Sequence, residues 1–247
     1  MNRMIGIWSS MVGAAVVVLL TPAPCPAGAL TPPEALDRYL AGQANTQPAC
    51  SDQTFAVQID ASLPTLKKHG TVTGFERIVE QGRAVYHGLR FTGDNIVKTQ
   101  VMARFLARQS SPTTKSREIA VNRANYTFVF DKESDYNGLA AYVFLLKPRR
   151  RRTGLFRGEL WLNAGTAAPL RLWGDLVKSP SVFVRSFRFV QDYQMVGVCT
   201  EPLRLLLSAR TIIAGRVEMS VWLHPASEQA DSSECNRTFQ NGEQATE

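Results

Sequence analysis

Histidine is scarce in this chain: His69, His87 and His224 are the only three in 247 residues. A hydrolase working by nucleophile and base needs a titratable partner for its serine, cysteine or threonine. No His-Glu-x-x-His, Gly-x-Ser-x-Gly, P-loop or dinucleotide-binding glycine pattern occurs. His87 alternates with Val85 and Leu89, which reads as a packed histidine rather than a base. No catalytic residue is assigned, and the chain is not expected to be an enzyme. Cysteine is also sparse, with Cys25, Cys50, Cys199 and Cys235 and no Cys-x-x-Cys pair. That leaves neither a redox motif nor zinc-finger spacing. Asp131, Glu133 and Asp135 precede Asn137-Gly138, a hairpin signal, so they read as solvated turn-flanking acids rather than a cation site. No metal and no cofactor is called.

Long apolar runs are missing except at the start. Arg3, the apolar stretch from Ile5 to Leu20, and the small residues ending in Ala27-Gly28-Ala29 follow the order of a secretory signal. The apolar stretch falls short of the about 20 residues a spanning helix needs. The expected organisation is a signal peptide over 1–29, cut after Ala29, a folded domain over 30–223, and a disordered acidic tail over 224–247. Export predicts the periplasm. Cys25 leaves with the signal, and the oxidising compartment permits one disulfide among Cys50, Cys199 and Cys235, with the pairing open. The formal net charge is +7. The tail holds Glu228, Asp231, Glu234, Glu243 and Glu247 against Arg237, so the body is more basic than the whole. A basic exported body suits an anionic membrane surface or an acidic partner, and no nucleic acid is expected.

What is present is strand pattern. Thr31, Pro32 and Glu34 make a capping signature for a short helix over 32–41. Phe55, Val57 and Ile59 alternate with polar residues, and strands are expected over 71–79 and 83–91. Asp94 sits where a cap would, before a helix over 95–108 with a stripe of Val97, Val101 and Phe105 and the neighbouring Met102 and Leu106. Strands then follow over 125–131, 139–147, 155–163, 169–178, 182–193, 203–210 and 216–223, joined by turn chemistry. Connections this short require antiparallel neighbours, so about ten strands form one curling sheet. The expected class is α+β, mainly β: a curled antiparallel sheet forming an unclosed half-barrel around a helix.

Several strands are apolar on one side. Phe183, Phe187 and Phe189 oppose Arg188 and Asp192; Leu203, Leu205 and Leu207 oppose Arg204 and Ser208; Val217, Met219, Val221 and Leu223 oppose Glu218 and Ser220. One apolar concavity needs a plug or a ligand, and burial contributes roughly 25 cal/mol per Å². The run Lys147-Pro148-Arg149-Arg150-Arg151-Arg152 falls at a hairpin tip. It is either a solvated turn or a docking point for anionic headgroups or an acidic partner.

Tyr142-Val143-Phe144-Leu145-Leu146-Lys147-Pro148 running into Leu155-Phe156-Arg157-Gly158-Glu159-Leu160-Trp161-Leu162-Asn163, then Ala168-Pro169-Leu170-Arg171-Leu172-Trp173-Gly174, resembles the periplasmic LolA-like superfamily. Lys178-Ser179-Pro180-Ser181-Val182-Phe183 and Phe187-Arg188-Phe189 extend the likeness, which covers roughly residues 71–223. The resemblance implies an unclosed barrel with a helical lid and a hydrophobic cavity. It implies a carrier or chaperone for a lipid or a lipoprotein acyl chain, in outer-membrane lipoprotein sorting or lipid transport. The alternative is an envelope interaction or stress-sensing module with the same fold and a filled interior. Expected cavity residues are Val143, Leu145, Leu160, Leu162, Phe183, Phe187, Phe189, Leu205 and Met219 on strands, with Val101 and Phe105 on the helix. Arg149, Arg150, Arg151 and Arg152 are the expected membrane or partner contact. Two features depart from the family: no position matches LolA's ligand-gating arginine, and Gly197-Val198-Cys199-Thr200-Glu201-Pro202 stands where relatives carry a Gly-x-Trp-x-Pro-like segment.

Overall fold

The structure is a computed structural model, and it describes residues 30–44, 54–79, 83–110, 116–196 and 199–226. The expected signal segment, the tail from residue 227 on, Cys50 and Cys235 lie outside the described residues.

Among the described residues, ten antiparallel strands form one sheet: β1 (Thr54–Leu63), β2 (Lys68–Val79), β3 (Arg83–Gly93), β4 (Tyr126–Tyr136), β5 (Leu139–Pro148), β6 (Phe156–Asn163), β7 (Pro169–Leu176), β8 (Val184–Val196), β9 (Cys199–Thr211) and β10 (Gly215–Pro225). Their order is β3-β2-β1-β10-β9-β8-β7-β6-β5-β4, so β3 and β4 are the two edges and the sheet does not close. Two hairpin meanders meet at an internal seam where the first strand pairs with the last, Ile59 opposite Val221 and Val57 opposite Leu223. Strand β10 runs to Pro225, and the Ala226 N–H donates to the Thr54 carbonyl at 2.9 Å. The last strand therefore continues past the expected boundary at 223, through His224.

All the described helices with buried side chains lie on one face, here called inner. Helix α1 (Pro32–Ala44) is longer than its capping signature alone suggests. Glu34 accepts hydrogen bonds from the Thr31 N–H and hydroxyl, both at 2.8 Å, which secures the first turn. The helix buries Ala35, Leu36 and Tyr39 against Tyr142, Phe144, Leu160 and Leu162 of β5 and β6. The segment before it is strapped to the same strands, with the Leu30 N–H on the Ala164 carbonyl and the Tyr142 hydroxyl donating to the Leu30 carbonyl at 2.5 Å.

The second helix begins at Asp94, whose carboxylate accepts from the Ile96 N–H at 2.8 Å. It opens with a π-helical turn over Val97–Met102 and continues as α2 (Ala103–Gln109). The wider turn changes the buried stripe. Val97, Met102 and Leu106 go under, while Val101 and Phe105 pack at the margin. All five belong to the expected stripe, and the π turn, which advances the buried face by five residues rather than four, selects Met102 and Leu106 over Val101 and Phe105 for the deepest positions. The core beneath it includes Val57, Ile59, Val72, Met219 and Val221. A short third helix, α3 (Ser116–Ile119), leads toward β4.

The β4–β5 hairpin turns at Asn137-Gly138 with φ of 54° and 83°, the left-handed pair that a two-residue hairpin requires. The acids Asp131, Glu133 and Asp135 belong to β4 itself rather than to a loop before it. In β3 the expected alternation of Val85, His87, Leu89 and Phe91 breaks. The pairing with β2 shifts between Thr73 and Phe75, opposite Gly88 at φ 62°. Ala84 and Tyr86 therefore face inward before the bulge and Leu89 after it. His87 turns outward, exposed and stacked on Phe75 at 5.3 Å, rather than packed in the core.

Candidate functional site

The inner face is sealed at both ends and not in the middle. Under α1, Leu160 and Leu162 are fully buried, with Phe189 packed at the edge of that core. Under the second helix, Met219 is buried in the second core, and Val101, Phe105, Leu205 and Leu207 pack against that core. The border between the two cores runs along β8 and β9. There Phe189 faces Leu207, and Phe187 faces Ala209, in direct cross-strand pairs. Phe187, Phe189, Leu205, Leu207 and Val217 all keep part of their surface open. The result is an apolar strip across β8, β9 and β10. Tyr193 borders it close to Tyr39 of α1, and burial pushes its phenol up to about 12.

Of the expected cavity residues, the strip brings together Phe187, Phe189 and Leu205, with Val101 and Phe105 at the second helix. Leu160, Leu162 and Met219 serve the two filled cores. Three expectations are corrected. Val143 and Leu145 point to the outer face, since Tyr142, Phe144 and Leu146 take the inner positions of β5. Val143 is buried there opposite Trp161, and Leu145 lines an outer groove. Phe183 is not in a strand at all. It stands exposed in the β7–β8 connection, and β8 begins with a pairing shift between Val184 and Ser186 that separates it from the Phe187 row.

The arginine run is tied down more than a repelling hairpin tip would be. The Arg149 guanidinium donates to the carbonyls of Arg123 and Tyr126 at 2.9 and 3.3 Å, and Arg151 donates to the Val177 carbonyl at 3.1 Å. Arg152 pairs with Glu118 at 3.2 Å. Three of the four thus brace loops, and Arg150 is exposed beside them. The outer groove they border has a volume of about 720 Å³, with Arg157, Glu159, Trp173 and Asp175 along it.

The outer face also holds a polar ladder that strand alternation alone does not single out. Asp192 is buried although its neighbours on that face are charged. It accepts from Arg171 at 2.7 Å, Arg204 at 2.6 Å and the Tyr136 hydroxyl at 3.0 Å. Burial raises its carboxyl, but the hydrogen bonds from Arg171 and Arg204 outweigh that and hold it below the usual carboxylate range. Trp161 and Trp173 both donate to Glu159, at 2.9 and 3.0 Å. The Arg204 guanidinium lies 4.9 Å from the Trp222 ring centre. The signal for this ladder was the placing of Arg171, Asp192 and Arg204 at paired positions of β7, β8 and β9.

On the inner face of β2, Glu76 is buried opposite Phe55 and hydrogen-bonded by Tyr86. Burial raises its carboxyl, and the Tyr86 bond lowers it only in part. The folded state therefore holds this proton more tightly than the unfolded chain. The associated stability is full below the ordinary carboxylate value and is lost as pH rises through the raised one. Glu76→Gln is expected to raise the melting temperature at pH 7.5 and to change it little at pH 4. Equal shifts at both pH values in a thermal scan would contradict the assignment.

No family model and no curated protein matches the sequence. Solved structures similar to it include a LolA superfamily protein from Nitrosomonas europaea, at 12% identity and a TM-score of 0.35, covering 78% of this chain and 95% of that one. An outer membrane lipoprotein-sorting protein domain from Vibrio parahaemolyticus gives 11% identity and a TM-score of 0.41, covering 78% and 94%. A DUF1329 family protein from Desulfovibrio piger gives 9% identity and a TM-score of 0.40, covering 77% and 91%.

Proposed function

We propose that the protein is a periplasmic carrier or chaperone that holds a lipid or a lipoprotein acyl chain along the inner strip between its two helix-sealed cores. The observation that carries this reading is the half-open row Phe187, Phe189, Leu205, Leu207 and Val217, flanked on both sides by cores that their own side chains fill. Such a row gains stability from any apolar chain laid on it, at roughly 25 cal/mol for each Å² covered. A flexible acyl chain suits a strip bounded by Tyr193 and Tyr39 on one side and by Val101 and Phe105 on the other. The basic start and apolar run ahead of Ala29, which read as an export signal, support a periplasmic site where lipidated cargo moves. The reading assigns no reaction and needs no cofactor.

The test uses the purified protein and cis-parinaric acid, a fluorescent acyl probe. Phe187→Asp is expected to weaken probe binding by about tenfold or more, because the new carboxylate would be desolvated by the chain. Leu206→Asp, one residue away from Leu205 and Leu207 and on the opposite face, is expected to leave binding unchanged. A parent protein that does not take up the probe, or a Phe187→Asp variant that binds it as the parent does, would sink the reading.

A further inference from the structure

The rim where β1–β2, β5–β6, β7–β8 and β9–β10 turn carries a feature that the inner strip does not use. Val182 is 84% exposed, Phe183 54%, Ile212 56% and Ile213 78%. These four sit on two neighbouring connections that are joined, since the Ile212 N–H donates to the Phe183 carbonyl at 2.9 Å. Leu66, 45% exposed, extends the patch from the β1–β2 turn, where Thr65 lies against Gly215 at the start of β10. Single exposed apolar residues are ordinary, but a contiguous set at ordered loop tips marks an interaction surface.

Charge decides what that surface fits. Lys178, Arg185 and Arg210 are exposed around the tip. Two acids of the adjoining strands are paired with other arginines: Asp175 with Arg188, and Glu218 with Arg216. The arginine loop continues the collar, because Arg151 holds the Val177 carbonyl at the start of the same β7–β8 connection. Side chains exposed this far are tips projecting outward rather than the walls of a socket. Projecting apolar tips inside a cationic collar match a planar, negatively charged interface with an oily interior.

We infer that this rim docks on an anionic phospholipid bilayer. Val182, Phe183, Ile212 and Ile213 enter the boundary between headgroups and acyl chains, and Arg150, Lys178, Arg185 and Arg210 meet lipid phosphates. The inference stands apart from the inner strip, so Phe187→Asp leaves docking intact.

The experiment is co-sedimentation of the purified protein with vesicles of equimolar phosphatidylglycerol and phosphatidylcholine, and with phosphatidylcholine alone, at low ionic strength. The parent is expected to prefer the anionic vesicles. Phe183→Ser with Ile213→Ser is expected to bind them about tenfold more weakly, with an unchanged thermal midpoint. Arg150→Gln with Lys178→Gln is expected to lose most of the preference for anionic lipid while keeping its fold. Ile213→Trp is expected to show a blue-shifted emission on adding vesicles that the parent lacks. A parent that stays in the supernatant with anionic vesicles, or a serine double variant that binds them as the parent does, overturns the inference. Recovery of a protein ligand on the tip with no vesicle binding overturns it in favour of a protein partner.

Discussion

Gly158→Ala should leave little folded protein. Gly158 and Gly174 face each other across β6 and β7 on the inner side of the sheet. A Cβ on Gly158 would lie 1.8 Å from the Trp173 carbonyl oxygen and 2.6 Å from the Gly174 Cα. Both obstacles are backbone, so no side-chain rotation relieves the clash. The Phe156 ring already covers Gly174 and meets Phe189 edge-on at 4.8 Å, which closes the other direction of escape. The two strands would have to part, breaking their ladder under α1. Ordinary overpacking costs about 1–3 kcal/mol, and a backbone clash of this kind should exceed about 4 kcal/mol. Urea denaturation checks it against Gly165→Ala, where the new Cβ meets only the Asn163 side-chain oxygen at 3.4 Å and the change should stay within about 0.5 kcal/mol. Similar midpoints for the two variants would show that β6 and β7 do not approach this closely.

Asp192→Asn should cost about 3 kcal/mol, because it leaves the charges of Arg171 and Arg204 without their shared counter-ion at a buried position. The amide keeps the size of the side chain but offers one acceptor oxygen where the carboxylate offers two. The pH dependence carries a second signature. The folded carboxyl ionises below its ordinary range, so its stabilisation is present above that range and is lost as acid drives the pH down through the depressed value. The Asn variant should lose stability at pH 7 and show a flatter decline into acid than the parent. Parallel acid limbs in the two denaturation series would count against the assignment.

The parts of the fold that could be read in advance are those where one rule acts alone. β1 and β10 alternate cleanly, with Val57, Ile59, Met219 and Val221 on one face, and both strands lie where period two puts them. Glu34 and Asp94 cap as their chemistry dictates, while the Thr31 hydroxyl donates to Glu34 rather than accepting from the helix. The failures have local causes. From Tyr142 to Leu146 the run is apolar at every position, so its phase is invisible, and nothing local tells that Val143 and Leu145 face outward. Bulges near Gly88 and before Ser186 each shift an alternation by one residue, which turned His87 outward and separated Phe183 from Phe187. The adjacent pairs Val101-Met102 and Phe105-Leu106 let either row turn inward, and only the π turn decides between them. Asp192 is hidden because its meaning depends on partners 21 and 12 residues away, which only the strand register brings together.

The meeting of the first and last strands governs how the chain must assemble. Each meander can zip up from local turns, but β1 and β10 can join only after the whole intervening chain has been ordered or looped out. Closing so long a span has a high entropic cost before any contact repays it, which makes this step slow. Helix α1 enters the problem from the other side, since it precedes β1 yet roofs β5 and β6. A partly made molecule still emerging from the ribosome would therefore hold a roof with no floor beneath it. Until β10 arrives, the inner rows of β1 would remain open to chaperones and to one another.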